Sequence, residues 1–122
     1  MERRTERFVV NRTLFGKKIE ADVTVLQWGV QVLLYGGEKS HIGAVSVIDE
    51  EGKAQQIQFP GHKEQQLCES WSERIWQDIQ EPVAVIAGIH YDGLTREQIG
   101  QIVKITEEMK KECVLRLNSL FT

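Results

Sequence analysis

The chain lacks most of the features that place a protein quickly. No apolar run approaches the roughly 20 residues that a membrane-spanning helix needs, and the start Met1-Glu2-Arg3-Arg4-Thr5-Glu6 has no apolar stretch of a secretory signal. The expected compartment is the cytoplasm. An excess of one charge is missing too: 15 Lys and Arg against 18 Asp and Glu leave a net charge of −3, without the basic surplus of a non-specific nucleic-acid binder or a membrane-surface protein. Cysteine is scarce, with Cys68 and Cys113 the only two. Both fall on the apolar side of a predicted helix and read as buried free thiols rather than a disulfide framework. Repeats, low-complexity tracts and an internal linker are absent. What remains, 41% hydrophobic and 27% charged residues, suits a single domain over residues 1–122 that buries roughly two-thirds of its unfolded surface without staples.

Hydrophobic periodicity divides that domain. Phe8–Phe15, Ile19–Leu26 and Val30–Tyr35 are short β-rich runs. In the second, Ile19, Ala21, Val23 and Val25 alternate with Glu20, Asp22 and Thr24, the period of a strand with one face buried. Gly16-Lys17 and Trp28-Gly29 supply tight turns, so the three strands are expected as an antiparallel meander, with Gly36 to Ser40 opening a longer loop. Ile42–Ile48 and Gln55–Phe59 flank the polar turn Asp49-Glu50-Glu51-Gly52-Lys53 as a hairpin.

Pro60-Gly61 ends the fifth strand, and Leu67, Trp71, Ile75 and Ile79 then recur at helical spacing, giving a helix over Lys63–Gln80 that Pro82 stops. Trp71 reads as core, Trp76 as half-buried beside it, and Trp28 as a turn residue or partner contact. Val83 to Ile89 is almost continuously apolar, as expected of a central strand covered on both faces. Thr95-Arg96-Glu97-Gln98 has the pattern of a capping box. The helix it starts runs to about Asn118 with Ile99, Ile102, Val103, Met109, Cys113 and Leu117 on its apolar face. The fold class is α+β: a mainly antiparallel sheet of about six strands, in the order five strands, helix, strand, helix, with two helices packed on it.

Element order then gives the three histidines a place. If the fourth strand returns antiparallel from the third, His41 lies at the end of the sheet where the third finishes, here called the upper rim. The hairpin brings Pro60-Gly61-His62 back to that end. The first helix descends, so the sixth strand rises, parallel to the fifth if they share a sheet, and delivers His90 to the same rim. Both helix N-termini and Gly36, Gly37, Gly43, Gly61 and Gly93 are expected there, with Lys39 and Lys63 nearby. Exposed amides at helix starts attract anions, so an anionic, phosphorylated ligand is the natural expectation. Tyr35 and Tyr91 lie close enough to stack on a flat ring, and Asp92 is placed to orient His90 or act as an acid.

Other chemistries fit the same residues less well. Three histidines can ligate zinc with an open fourth position, but no pair has the short spacing of a helix-borne motif. Ser40 and His41 are strand neighbours pointing to opposite faces, a poor arrangement for nucleophile and base. A metal-dependent enzyme is therefore the weakest alternative. A protein-assembly or interaction module without a small ligand is the stronger one, similar in scale and element order to the small chaperones that help proteasomes assemble.

Three segments stand out together: Ser40-His41-Ile42-Gly43-Ala44-Val45, Pro60-Gly61-His62-Lys63-Glu64, and Ala87-Gly88-Ile89-His90-Tyr91-Asp92 followed by Leu94-Thr95. In this order and spacing they resemble the LpdD-like family, small accessory subunits of the non-oxidative hydroxyarylic acid decarboxylases described as prenylated-flavin chaperones. The resemblance runs from about Gly36 to the end of the second helix; the first three strands share only the general pattern. It implies a non-catalytic protein that binds prenylated flavin mononucleotide, or flavin mononucleotide, on behalf of a UbiD-like decarboxylase. The residues carried over are His41, Gly43, His62, His90 and Asp92 with their neighbours. Under this implication the phosphate is expected on amides near Gly61 to Lys63 or at Thr95, helped by Lys39 or Lys63, and the histidines, with Tyr91 close by, bound the ring. A homodimer is also expected, because a small sheet often leaves an edge or face to cover.

Overall fold

In the structure, a computed structural model that describes residues 3–60 and 64–121, the strands are β1 (Glu6–Leu14), β2 (Lys17–Val25), β3 (Val30–Gly37), β4 (Ala44–Ile48), β5 (Ala54–Gln58) and β6 (Val83–His90). The helices are α1 (Gln65–Ile79), between β5 and β6, and α2 (Arg96–Phe121), after β6. The strands form one sheet in the order β1-β2-β3-β6-β4-β5. All neighbours are antiparallel except β3 and β6, which are parallel, so the sheet is mixed but mainly antiparallel. No described helix is long and apolar enough to cross a membrane.

The alternation along β2 is realised as read: Ile19, Ala21, Val23 and Val25 are sealed from water, while Glu20, Asp22 and Thr24 point the other way. Their register partners Leu34, Val32 and Val30 on β3 and Ala87, Val85 and Val83 on β6 continue the buried face. Cys68, Trp71 and Ile75 of α1 and Met109, Cys113, Val114 and Leu117 of α2 belong to the same core. Ser46 and Ser72 are buried inside it and satisfy one another at 2.8 Å, which removes the cost of two dry hydroxyls. The β1–β2 turn is tight, with Phe15 and Gly16 both at positive φ, the geometry of a two-residue hairpin loop.

β6 rises in the same direction as β5 within the one sheet, as expected, and inserts between β3 and β4, the seat that an apolar strand fills best. Three expectations need correction. Gly36 and Gly37 do not open a loop; they stay in the ladder opposite Ile89 and His90, because parallel pairing with β6 carries the backbone past the point where turn composition suggests a break. β6 is not covered on both faces, since both helices pack on the inner one; Ala84 and Ile86 are turned outward, half-buried, and among the described residues no helix lies over them.

The third correction concerns α2. Ile99 and Val103 are exposed, and the buried stripe is instead Thr106, Met109, Cys113, Val114 and Leu117. α2 runs antiparallel to β1: Arg12 pairs with Glu112, Arg116 lies over the Phe8 ring, and Arg3 lies over the Phe121 ring. From Glu112 back to Arg96 the helix rises about 24 Å at 1.5 Å per residue. β1 continues only from Arg12 to Leu14, about 7 Å at strand rise. The first turns of α2 therefore overhang the sheet, with Ile102 and Ile105 toward the core and Ile99 and Val103 in solvent.

Candidate functional site

The upper rim is built where β3 and β6 end and β4 begins. Gly43 donates its amide to Ala87 O at 2.8 Å, so the chain entering β4 is already pinned to β6 before the strand starts. Position 88 has to be glycine for this entry: a Cβ there would lie 1.7 Å from His41 O. Position 43 is close to the Glu64 carboxylate, which a Cβ would meet at 2.3 Å, so a side chain there would displace Glu64 rather than the backbone. Gly88 thus lets His41 close over the sheet end, and Gly43 leaves room for the Glu64 carboxylate as it is placed.

His41 Nε2 is 2.9 Å from Glu64 Oε1, and its Nδ1 is 3.2 Å from Lys39 O. Both neighbours are acceptors, so the carboxylate and the carbonyl hold the ring in place from its two sides. The His41 and Glu64 side chains are only 15% and 12% exposed. His90 sits beside this pair, its ring 6.2 Å from that of His41 and edge-on at 79°. Its Nε2 meets Asp92 Oδ1 at 2.8 Å, on the open side of the rim. The hydrogen bond from His90 holds the Asp92 carboxyl below its ordinary range, and Glu38 and Lys39 act in the same direction. Glu38 closes the group from β3: its amide donates to His90 O at 2.7 Å and its carboxylate accepts from the Asp92 amide at 3.3 Å.

The structure therefore brings together Lys39, His41, Gly43, His90 and Asp92. Gly61, His62 and Lys63 lie outside the described residues. Tyr91 is at the rim but faces inward: it is buried, donates its hydroxyl to Leu14 O at 2.8 Å and packs edge-on against Phe15 at 5.5 Å. Burial and the nearby Glu38 push its phenol above the usual range. Tyr35 points to the outer face of β3, where its hydroxyl donates to Glu20. Thr95 forms the expected capping box, its Oγ1 accepting from the Gln98 amide at 3.1 Å while Gln98 Oε1 accepts from the Thr95 amide at 2.9 Å. Two of the amides at that helix start are thereby occupied, and Glu97 adds a negative charge to its first turn. The two helix starts share one end of the sheet but not one pocket, since α1 lies over β4 and β6 while α2 follows β1.

Sequence reasoning missed Glu38 and Glu64. The available signal was Glu64 at the end of the His62 segment and Glu38 two residues before the His41 segment, and their effect is a rim where His41 and His90 face carboxylates rather than a cationic one. Among the described residues no three His, Cys, Asp or Glu side chains converge as a metal-binding group; His41 and His90 each turn to a carboxylate. Away from the rim, a groove of about 370 Å³ between the helices is lined by Arg74, Glu107, Lys110 and Leu115.

Over residues 14–118 the chain matches the family model of the prenylated flavin chaperone LpdD-like domain. It is 23% identical over 104 residues to Protein LpdD of Lactiplantibacillus plantarum (strain ATCC BAA-793 / NCIMB 8826 / WCFS1), a match covering 81% of this chain and 76% of that protein. Among solved structures, a chain of a chaperone complex for yeast 20S proteasome assembly superposes with a TM-score of 0.65 over 97% of this chain and 98% of its own length. At 8% identity that likeness is one of fold.

Proposed function

The chain belongs to the prenylated flavin chaperone LpdD-like family, and from that membership we propose that it is a non-catalytic accessory protein that binds prenylated flavin mononucleotide, or flavin mononucleotide, for the maturation of a UbiD-like hydroxyarylic acid decarboxylase. The observation that supports this reading is the juxtaposition of His41 and His90 at one sheet end, 6.2 Å apart, each held by its own carboxylate. Two fixed imidazoles offer a flat edge and polar groups to a heteroaromatic ring. Carboxylates that orient them match the donors on a flavin's ring edge better than they match its phosphate. The phosphate then falls to Lys39 and to the segment Gly61 to Lys63 rather than to Thr95, whose amide is capped. Tyr91 acts as a support of the rim from beneath, and Asp92 as the group that fixes His90.

Titration of the purified chain with each flavin, followed by absorbance and fluorescence, tests the reading. Wild type is expected to shift the cofactor spectrum, and His41→Ala, His90→Ala and His62→Ala each to weaken binding by at least about tenfold, the loss of one good contact. No spectral change with wild type, or full binding by all three variants, overturns it. A second reading, an assembly chaperone without a small ligand, is favoured by one observation only, the bare apolar outer face of the sheet. It expects partner binding to survive replacement of all three histidines.

A further inference from the structure

The outer face of the sheet is unfinished. One register row crosses it as Val9, Asp22, Leu33, Ile86, Val45 and Ile57. From β3 to β5 that row is wholly apolar. Val47 on β4 widens it, as does Phe59 one residue beyond β5; in the single chain Val47 is 42%, Ile57 59% and Phe59 40% exposed. Both helices lie on the other face, so no described helix reaches this stripe. β6 nevertheless has the composition of a strand covered on both sides, with Ala84 and Ile86 outward as well as Val83, Val85 and Ala87 inward.

We propose that a second copy of this chain packs on this face, sheet against sheet, with the two-fold axis passing near Ile86 and Val45. Three features select a copy over a foreign partner. The stripe runs across the middle of the sheet, so a two-fold rotation about its centre lays apolar on apolar, as an isologous interface requires. The neighbouring charges are closed within the chain: Arg7 binds Asp22 through two hydrogen bonds of 2.6 and 2.7 Å, and Tyr35 donates to Glu20. Beside the stripe the face therefore shows little unpaired charge with which to recognise a different protein, the exposed Lys18 lying toward the far end of β2, and the Arg7–Asp22 pair enters the interface already neutralised. Its size also suits a dimer. Six strands at about 4.8 Å spacing and five to nine residues long give the whole face, the apolar stripe of β3 to β5 with the polar flank of β1 and β2, a projected area of roughly 600 Å², and side-chain relief brings the accessible area close to the ~800 Å² per partner of a stable complex. Two twisted sheets of the same hand pack face to face at ~10 Å, filling the layer that β6 lacks.

This inference does not rest on the flavin reading, and its test uses no cofactor. Sedimentation of the full chain from low to high micromolar concentration is expected to show a dimer. Val45→Asp, which buries a charge without a partner, is expected to raise the dissociation constant by about a hundredfold or more. Ile57→Lys, on an edge strand where the single chain already exposes the side chain, is expected to raise it by about tenfold with an unchanged circular-dichroism spectrum. Leu115→Lys, 71% exposed on α2, is the control and leaves the dimer intact. The proposal falls if wild type stays monomeric throughout, including a monomer that captures a different protein with this face. It also falls if the dimer is indifferent to both face variants, or if it breaks only when an edge strand is blocked with proline.

Discussion

The two faces of the one sheet differ more in what covers them than in what they are made of. Along β6, Val83, Val85 and Ala87 are sealed beneath α1, whereas Ala84 and Ile86, one pleat away, are only half covered. Along β2 the same alternation separates four sealed side chains from Asp22, whose charge is met by Arg7. Side-chain alternation fixes which residues share a face; a second layer decides which face becomes a core. The inner face has its layer from α1 and α2. The outer face has the apolar stripe without one, and it is the surface on which an interaction is expected.

The largest expected difference between the faces is energetic. Trp71, fully buried on the inner face, should cost about 3–5 kcal/mol when replaced by alanine, through lost burial plus a cavity. Ile57→Ala on the outer face should change monomer stability by no more than about 0.5 kcal/mol. Urea unfolding at a concentration where the chain is monomeric measures both, and similar costs would erase the distinction drawn between the faces.

A second, smaller difference is in pH response. Burial on the inner side pushes both thiols, Cys68 and Cys113, up to about 12. The unfolded thiols ionise near 9, so the folded state retains protons that the unfolded state releases. This contribution to stability is intact below about pH 9 and is lost progressively as pH rises toward 12. Native protein at pH 8 should be inert to a thiol reagent and become reactive only on unfolding, and Cys113→Ala should flatten the alkaline decline.

The smallest effect is expected on the outer face at acid pH. The hydrogen bond from Arg7 holds the Asp22 carboxyl below its ordinary range. The pair therefore contributes at pH above that range, and the contribution is lost as pH falls through the lowered value. Asp22→Asn should shift the urea midpoint slightly at low salt and hardly at all at high salt, as for other exposed pairs. A large, salt-independent loss would show that this face is already buried under the conditions of the measurement.

Much of this arrangement was legible in the sequence because it depends on local spacing. The alternation in β2, the capping box at Thr95 and the helical recurrence of Leu67, Trp71 and Ile75 are each written within one element, and each is found. The meeting of His41 with His90 was also legible, because strand directions alone send both to one end. The seat of β6 between β3 and β4 was not, since any apolar strand satisfies a central position and pairing partners are chosen by contacts distant in the chain. Nor were the roles of Glu38 and Glu64, which depend on separate segments coming within a hydrogen bond of one another: Gly37 lets the backbone beside Glu38 lie against His90 O, and Gly88 lets His41 O close over β6. The exposure of Ile99 and Val103 was hidden for a further reason: periodicity shows which way a side chain points around a helix, not how far the helix extends past the sheet beneath it.

By itself the sequence determined the α+β class, the order of elements and the end of the sheet at which His41 and His90 meet, because hydrophobic period and chain direction are properties of successive residues. Only the tertiary structure decided that each of those two histidines has a carboxylate partner, that Tyr91 turns inward, and that one apolar face stays open. Those outcomes depend on hydrogen bonds and layers formed between residues far apart in the chain, where packing and desolvation select among arrangements that local propensity leaves equal.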